Sequence, residues 1–191
     1  MSRHVQALVL VGVTLSGAAC GVGTQRSAQL INRHDVPYGL LASGPTTPPT
    51  VAAPSVDVTL YFEGPQGLVP VVRKVRAPGT VTASLAELGN GPTSSDGNGM
   101  LQSPVSTVTP LTLKSIQNST AYVSVPTAFS NLGGQEQIVA AAQVVYTVTA
   151  VAGLSAVVLL VNGQAAQVPV SGGNLHQGPL TRADYQGMLA P

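Results

Sequence analysis

GGQEQIVAAAQVVYTVTAVAGLSAVVLLVNG, residues 133–163, is the longest apolar run outside the N-terminus and contains one charged residue, Glu136. Its part VVYTVT, residues 144–149, has the composition of a strand, but the preceding EQIVAAAQ favours a helix. Because residues 135–150 are too many for an ordinary strand, the run predicts a helix there. Four residues at helical spacing would form its buried face: Ile138, Ala142, Val145 and Thr149.

The same run predicts a buried strand over residues 155–161, after a turn at Gly153. Asn162-Gly163 is typical of a tight hairpin turn because both residue types tolerate a positive φ. We therefore expect a return strand over residues 164–170. Since the run has almost no titratable groups, it reads as core, and we expect any binding surface to lie elsewhere.

The residues before this run predict two further hairpins, since apolar residues alternate on both sides of a turn. Between the hairpins a short helix is expected to begin at its cap, Thr80, and to end at Gly89, before a loop over residues 89–103. A last short helix, capped by Thr181, is expected in the tail. The four additional strands cover residues 56–62, 68–76, 109–117 and 120–125.

The resulting order is strand, strand, helix, strand, strand, helix, strand, strand. This order is typical of the α+β class. The predicted architecture is a mixed sheet of about six strands, in two or three hairpins, with two main helices packed on it.

The composition excludes several classes of function. Only 8% of the 191 residues are charged and the net charge is +1, so there is no basic surface of the kind that binds nucleic acid. The basic residues are scattered except for Arg73, Lys74 and Arg76. A single cysteine excludes a disulfide within the chain and a four-cysteine metal site.

The N-terminus has the three parts of a secretory signal peptide over residues 1–19. Arg3 supplies positive charge, residues 5–15 are apolar, and residues 16–19 are small. The apolar part is too short to cross a bilayer, which needs about 20 residues. The sequence therefore predicts export.

Cys20 follows the small residues directly and resembles the cysteine of a bacterial lipoprotein lipobox, although Gly17 stands where leucine is usual. The resemblance implies that Cys20 is diacylated. The expected partner of its acyl chains is the lipid bilayer, at the outer face of the cytoplasmic membrane. Two acyl chains give stable attachment where one is marginal. The alternative is that Cys20 is only a small residue beside an ordinary cleavage site.

The remaining chain divides into a linker, a domain and a tail. Residues 20–54 are the lipidated N-terminus and a linker rich in Pro and Gly, with a short apolar island at 35–41. The domain is expected over residues 55–170. Residues 171–191 form the C-terminal tail.

Seven strings follow one another along the chain: TLYF (59–62), LVPV (68–71) with Arg73, Leu88 followed by GPT (91–93), GMLQS (99–103), AYVSV (121–125), AQVVYTVT (142–149), and VNG (161–163) with Val168-Pro169. In this order they resemble the sporulation and spore germination domain, GerMN. The resemblance covers residues 55–170 and implies an exported, cell-surface domain without a known catalytic centre, used in some relatives as a protein–protein module. The flanks, at 35–41 and 183–185, are similar to those of single-domain actinobacterial lipoproteins. The chain departs from the pattern at Asn118-Ser119-Thr120 and at Ser124.

Candidate chemistry is sparse. No nucleophile elbow, phosphate loop, dinucleotide fingerprint or zinc-protease motif is present, and His176 is expected to be a solvated loop residue. Asp96 begins a stretch that looks like half a calcium loop, but further acidic ligands do not follow at the required spacing. We therefore predict a protein that is not an enzyme and has no cofactor or metal.

Three polar residues have structural explanations at this stage. Gln143 is expected to satisfy backbone groups beside the long helix, and Tyr146 to pack its ring with the hydroxyl at the rim. Arg73 is expected to pair with Glu63 or Asp57 across the first hairpin. The alternative for Arg73 is to bind an anionic group.

Two functional hypotheses remain open. The first is a noncatalytic, lipid-anchored module that contacts an unknown envelope protein or a second copy of itself. The second is a binding module for a small or glycan ligand, or a weak hydrolase, with a cleft near residues 100–103. The candidate contact residues are Arg73, Met100, Leu101, Gln102 and Ser103.

The lipid anchor is testable through Cys20→Ala. Without the sulfur to carry the acyl chains, the protein should move from the membrane fraction to the soluble or secreted fraction. Fractionation followed by immunoblotting measures the distribution. Unchanged membrane association would rule out the lipobox.

Overall fold

A computed structural model of the protein describes residues 53–191, and the predicted signal peptide, Cys20 and most of the linker lie outside the described residues. Two α-helices and eight strands confirm the α+β class. The helices are α1 (Val81–Asn90) and α2 (Gly134–Val148). The strands are β1 (Ser55–Gly64), β2 (Gly67–Arg76), β3 (Thr112–Gln117), β4 (Thr120–Val125), β5 (Ala156–Val161), β6 (Gln164–Ala165), β7 (Gln167–Pro169) and β8 (Leu175–Gln177).

The long helix α2 lies at the centre of the domain and confirms the prediction of a helix over residues with strand composition. All of residues 139–148 are buried, so from Val139 onward the helix has no solvent face. Ala142 and Val145 are buried as expected, but Ile138 and Thr149 are only half-buried. A helix that is apolar on all sides is stable only when neighbours cover it fully.

Its neighbours come from every part of the domain. The helix packs against β1, α1, β5 and β7, and against the short 3-10 helices Pro104–Thr107 and Arg182–Tyr185. Small and β-branched side chains suit this position because they let several elements approach the helix closely.

The strands form three sheets instead of one. β1 and β2 make an antiparallel ribbon, and β3-β4-β5-β6 is a mixed sheet in which β4 and β5 are parallel. The return strand expected over residues 164–170 is interrupted at Ala166, whose N–H donates to the Leu159 carbonyl at 2.9 Å. The chain after Ala166 pairs with β8 instead, as β7.

Turn and cap signals in the sequence are largely confirmed. Asn162 and Gly163 both have positive φ, 53° and 80°, as a tight hairpin turn requires. Thr80 caps α1 by accepting a hydrogen bond from the Ala83 N–H at 3.3 Å. The predicted end of α1 is wrong: the helix runs past Gly89 to Asn90, and Gly91, at φ 77°, is the residue that ends it.

The edges of the β1–β2 ribbon are partly closed by distant segments. The backbone N–H of Tyr61 donates to Thr147 Oγ1 of α2 at 3.1 Å. At the opposite edge, the Leu68 N–H donates to the Met188 carbonyl at 2.6 Å. A side chain at Gly67 would place its Cβ 2.6 Å from the same carbonyl. Closing an edge in this way protects it from pairing with other chains.

The tail belongs to the packed domain. The Asp184 carboxylate accepts hydrogen bonds from the N–H and hydroxyl of Thr181, which confirms the expected cap, although the helix that follows is a single 3-10 turn. Tyr185 is fully buried, and this burial raises the pKa of its hydroxyl. Tyr146 donates its hydroxyl to the Tyr185 carbonyl at 3.2 Å. The Tyr146 hydroxyl is therefore buried and not at the rim as expected.

The complete burial of α2 predicts sensitivity to added volume. Ala141 has no exposed surface, so Ala141→Leu should overpack the core and lower the free energy of unfolding by about 1–3 kcal/mol. Urea denaturation followed by circular dichroism measures the change. The matched control is Ala86→Leu, because Ala86 is exposed on α1. Equal stability of both variants would contradict the packing.

Candidate functional site

Three adjoining clefts, of about 430, 300 and 270 Å³, lie where β1 ends and α2 begins. The first and second share Gln102, and the second and third share Glu63. We call this surface the Glu63 groove. Its principal lining residues are Glu63, Pro65, Met100, Gln102, Ser103 and Glu136.

Backbone pairing fixes one wall of the groove. The Gln102 N–H donates to the Glu63 carbonyl at 2.8 Å, and the Glu63 N–H donates to the Gln102 carbonyl at 2.9 Å. This isolated antiparallel bridge attaches the segment around Gln102 to the outer edge of β1. The segment is therefore held as firmly as a short strand.

Behind this wall, Gln143 of α2 connects the groove to the core. Gln143 has no exposed surface. Its Nε2 donates to the Gln102 carbonyl, and its Oε1 accepts from Ser103 Oγ, each at 3.3 Å. The expectation that Gln143 satisfies neighbouring backbone groups is confirmed. A buried amide that satisfies both partners in this way helps to specify one arrangement of the wall.

The charge in the groove is negative. Burial raises the pKa of the Glu63 carboxyl, and the nearby negative charge of Glu136 raises it further. Within residues 53–191, neither carboxylate forms an ion pair. The arrangement therefore presents two uncompensated carboxylates to whatever enters the groove.

Comparison with known proteins identifies the domain. The family model "Germane: Sporulation and spore germination" matches residues 59–167. The chain belongs to the Germane, or GerMN, family. Comparison with curated proteins gave no significant match.

A solved structure of GerMN domains shares the fold. The tandem GerMN domains of the sporulation protein GerM from Bacillus subtilis align with a TM-score of 0.53 and 20% identity, over 69% of this chain and 48% of that chain. The chain thus spans about half the length of the tandem structure. The first GerMN domain of the same protein aligns with a TM-score of 0.49 and 20% identity, over 67% of this chain and 98% of that chain.

The GerMN-family match contains Glu63, Gln102 and Glu136, and among the lining residues only Met188 of the third cleft lies outside it. Of the predicted contact residues, Met100 is 60% exposed and Gln102 is exposed, and both line the groove. Leu101 and Ser103 are buried, although Ser103 contributes to the floor of the largest cleft.

Arg73 does not have the partners expected from the sequence. Its guanidinium donates to Glu87 Oε2 at 3.3 Å, to the Gly91 carbonyl at 2.8 Å, and to the carboxylate of Asp96. The register explains the difference, because Arg73 lies opposite buried Val58 and so faces inward. Lys74, the next residue, lies on the opposite face of the ribbon and pairs with Asp57 at 2.9 Å.

The loop that follows α1 is organised around Asp96. The Thr93 N–H donates to its carboxylate at 2.6 Å, and this hydrogen bond is the largest cause of the lowered pKa of Asp96, with Arg73 contributing as well. The expected flexible turn is therefore tied to β2. Within residues 53–191, no three potential ligand side chains come together for a metal ion.

Two sequence-based expectations about chemistry are corrected. His176 is half-buried in β8 and is not a solvated loop residue, because β7 pairs with this segment. The first turn of α2 carries Glu136 into the groove, although the run containing it was read as core. The sequence did not predict that Glu63 and Glu136 lie near each other. The one available signal was that Glu136 is the only charged residue in the apolar run 133–163.

The uncompensated charge predicts that Glu63→Gln stabilises the protein at neutral pH. Since the folded state raises the pKa above its ordinary value of 4.5, protonated Glu63 stabilises the folded state in acid, and this contribution is lost as the pH rises through the folded-state pKa. The variant should gain roughly 0.5 kcal/mol at pH 7. The gain should shrink as the pH falls through the raised folded-state pKa of Glu63 and should be absent below its ordinary value of 4.5.

Urea denaturation at pH 7 and pH 4 measures this difference. The control is Asp57→Asn, which removes an exposed carboxylate that is paired with Lys74; it should give no gain at pH 7. Equal stability of Glu63→Gln and wild type at pH 7 would contradict the uncompensated charge.

Proposed function

We propose that the protein is a noncatalytic domain of the cell envelope, anchored by lipid at Cys20, that acts by contacting another envelope protein. The observation that carries the proposal is the Glu63 groove, an open surface with a firmly held wall and an exposed apolar side chain, Met100, at its edge. Exposed apolar groups beside polar ones are typical of protein interfaces, where methionine is enriched.

The rigidity of the groove supports a role in recognition. The bridge between Glu63 and Gln102 and the hydrogen bonds of Gln143 hold its wall before a partner arrives. A pre-organised surface binds with a smaller loss of conformational entropy. The groove therefore suits docking of a partner segment.

The membership of the GerMN family is consistent with this role. The related solved structure contains tandem GerMN domains of a sporulation protein. No helix within residues 53–191 is long and apolar enough to cross a bilayer, and the proposed attachment is through Cys20.

Binding of a small or glycan ligand, or weak hydrolysis, is the alternative. Sugar rings usually stack on exposed aromatic side chains, and within the described residues none of the three clefts is lined by an aromatic side chain. Two carboxylates are the acid and base that glycoside hydrolysis uses, but hydrolysis would still require a sugar bound in the groove. Protein contact is therefore the better-supported reading.

Site-specific photo-crosslinking in living cells tests the proposal. A photoreactive phenylalanine analogue at position 100 should capture one envelope protein, because Met100 lies at the groove. The matched control is position 72, since Val72 is also an exposed apolar residue, 63% exposed, but lies on β2 away from the clefts. Position 72 should not capture that protein.

The opposite result is equally specific. If position 100 yields no protein adduct while the purified full-length protein binds or cleaves cell-wall fragments, the proposal is wrong. Capture of the same protein from both positions would show contact that does not depend on the groove, and would also contradict it.

A further inference from the structure

We propose that the Glu63 groove receives a basic segment of the partner protein, with the charged group of one lysine or arginine held between Glu63 and Glu136. The inference rests on the proposed function, since it specifies the chemistry of the protein that docks there. It follows from the charges, the shape and the packing of the groove.

Most carboxylates within residues 53–191 have a partner in the domain, and the two that have none lie along one groove. Residues 53–191 contain six acidic side chains. Asp57 pairs with Lys74, Glu87 and Asp96 pair with Arg73, and Asp184 accepts hydrogen bonds from Thr181. The two that remain without a partner are Glu63 and Glu136, and these two face one groove.

The position of Glu136 has a structural reason, but that of Glu63 does not. An acidic residue in the first turn of a helix is favoured by the helix dipole, and Glu136 occupies the first turn of α2. Glu63 stands near the end of β1, half-buried, where burial and its neighbour both oppose its ionisation. A carboxylate kept in such a place is typical of a binding site.

No positive group within residues 53–191 lines the groove to offset these charges. The lining residues of the three clefts include two carboxylates and no lysine, arginine or histidine. Complementary charge across an interface fixes its register and rejects the wrong partner. A cation supplied by the partner would offset the negative charge of Glu63, which no basic residue lining the groove does.

The shape of the groove fits a long basic side chain. Clefts of about 300 and 270 Å³ lie on the two sides of Glu63. Met100 lines the cleft of about 300 Å³ and offers apolar surface there. The methylene stem of lysine or arginine packs on such a surface while the charged head reaches a polar group. Gln102, exposed between the clefts, can hydrogen-bond to the backbone of the same segment.

A calcium ion is a poorer occupant. Calcium takes 6–8 oxygen ligands, whereas no three potential ligand side chains come together within residues 53–191. An organic cation needs only the two carboxylates and a short stretch of apolar wall. The metal alternative is nevertheless a defined outcome of the experiment.

The experiment measures photo-crosslinking of the full-length protein in cells, from position 100, in wild-type and Glu63→Gln/Glu136→Gln backgrounds. Removing both charges should lower recovery of the captured partner by about tenfold or more, while Asp57→Asn leaves it unchanged. Glu136→Lys, which places a cation in the groove, should give a comparable loss. Thermal unfolding should show that the double variant is folded at the temperature of the experiment, so that a lost adduct reflects the lost charges.

Mapping the crosslinked peptide of the partner supplies the second measurement. The peptide should contain a lysine or arginine whose replacement by glutamine lowers recovery as much as the double variant does. Combining the two changes should add little further loss, since both remove one interaction. Independent, additive losses would overturn the inference.

Three results separate the possible failures. If the double variant recovers the partner as well as wild type does, the inference is wrong and the proposed protein contact stands. If wild type captures no protein at position 100, the proposed function itself fails. If chelation of calcium abolishes capture in wild type, a metal ion occupies the groove and the inference is overturned.

Discussion

The complete burial of α2 is the constraint on which the rest of the structure depends. A helix covered on all sides needs several layers around it, and the ribbon, the mixed sheet, α1 and the tail supply them. Its polar residues are then placed where each serves a neighbour: Thr147 accepts the free N–H of Tyr61, and Gln143 reaches the segment that walls the groove. The core and the surface site are thus held by the same helix.

This arrangement explains how a domain with so few charges forms a charged groove. Within residues 53–191, three of the six carboxylates are used in ion pairs, two of them in the Arg73 cluster that ties the loop after α1 to β2. The backbone bridge to Gln102 holds Glu63 beside the groove. Burial there raises the pKa of its carboxyl, and the negative charge of Glu136 raises it further.

Local signals in the sequence predicted much of this fold. The length of the apolar run outweighed the strand composition of residues 144–149, and Thr80, Asn162-Gly163 and Thr181 marked the cap, the turn and the tail correctly. These features depend on neighbours close in sequence. The GerMN-like strings gave the fold class independently.

Features that depend on distant pairing were not predicted. The partners of Arg73 follow from which face of the ribbon it occupies, and moving by one residue changes the face. The separation of β7 and β8 from the mixed sheet follows from the break at Ala166. The proximity of Glu63 and Glu136 arises only once α2 has packed beside β1, so no short pattern in the sequence could reveal it.

The pairing of the tail with β2 also bears on how the domain acquires its structure. Leu68 forms a parallel bridge with Leu189, although the two residues are far apart in sequence. Met188, the residue before Leu189, lines the third cleft. A chain made or exported N-terminus first leaves this edge of the ribbon open until Met188 and Leu189 arrive. Contacts between residues so far apart in sequence are slow to form, and the third cleft is complete only once Met188 has docked.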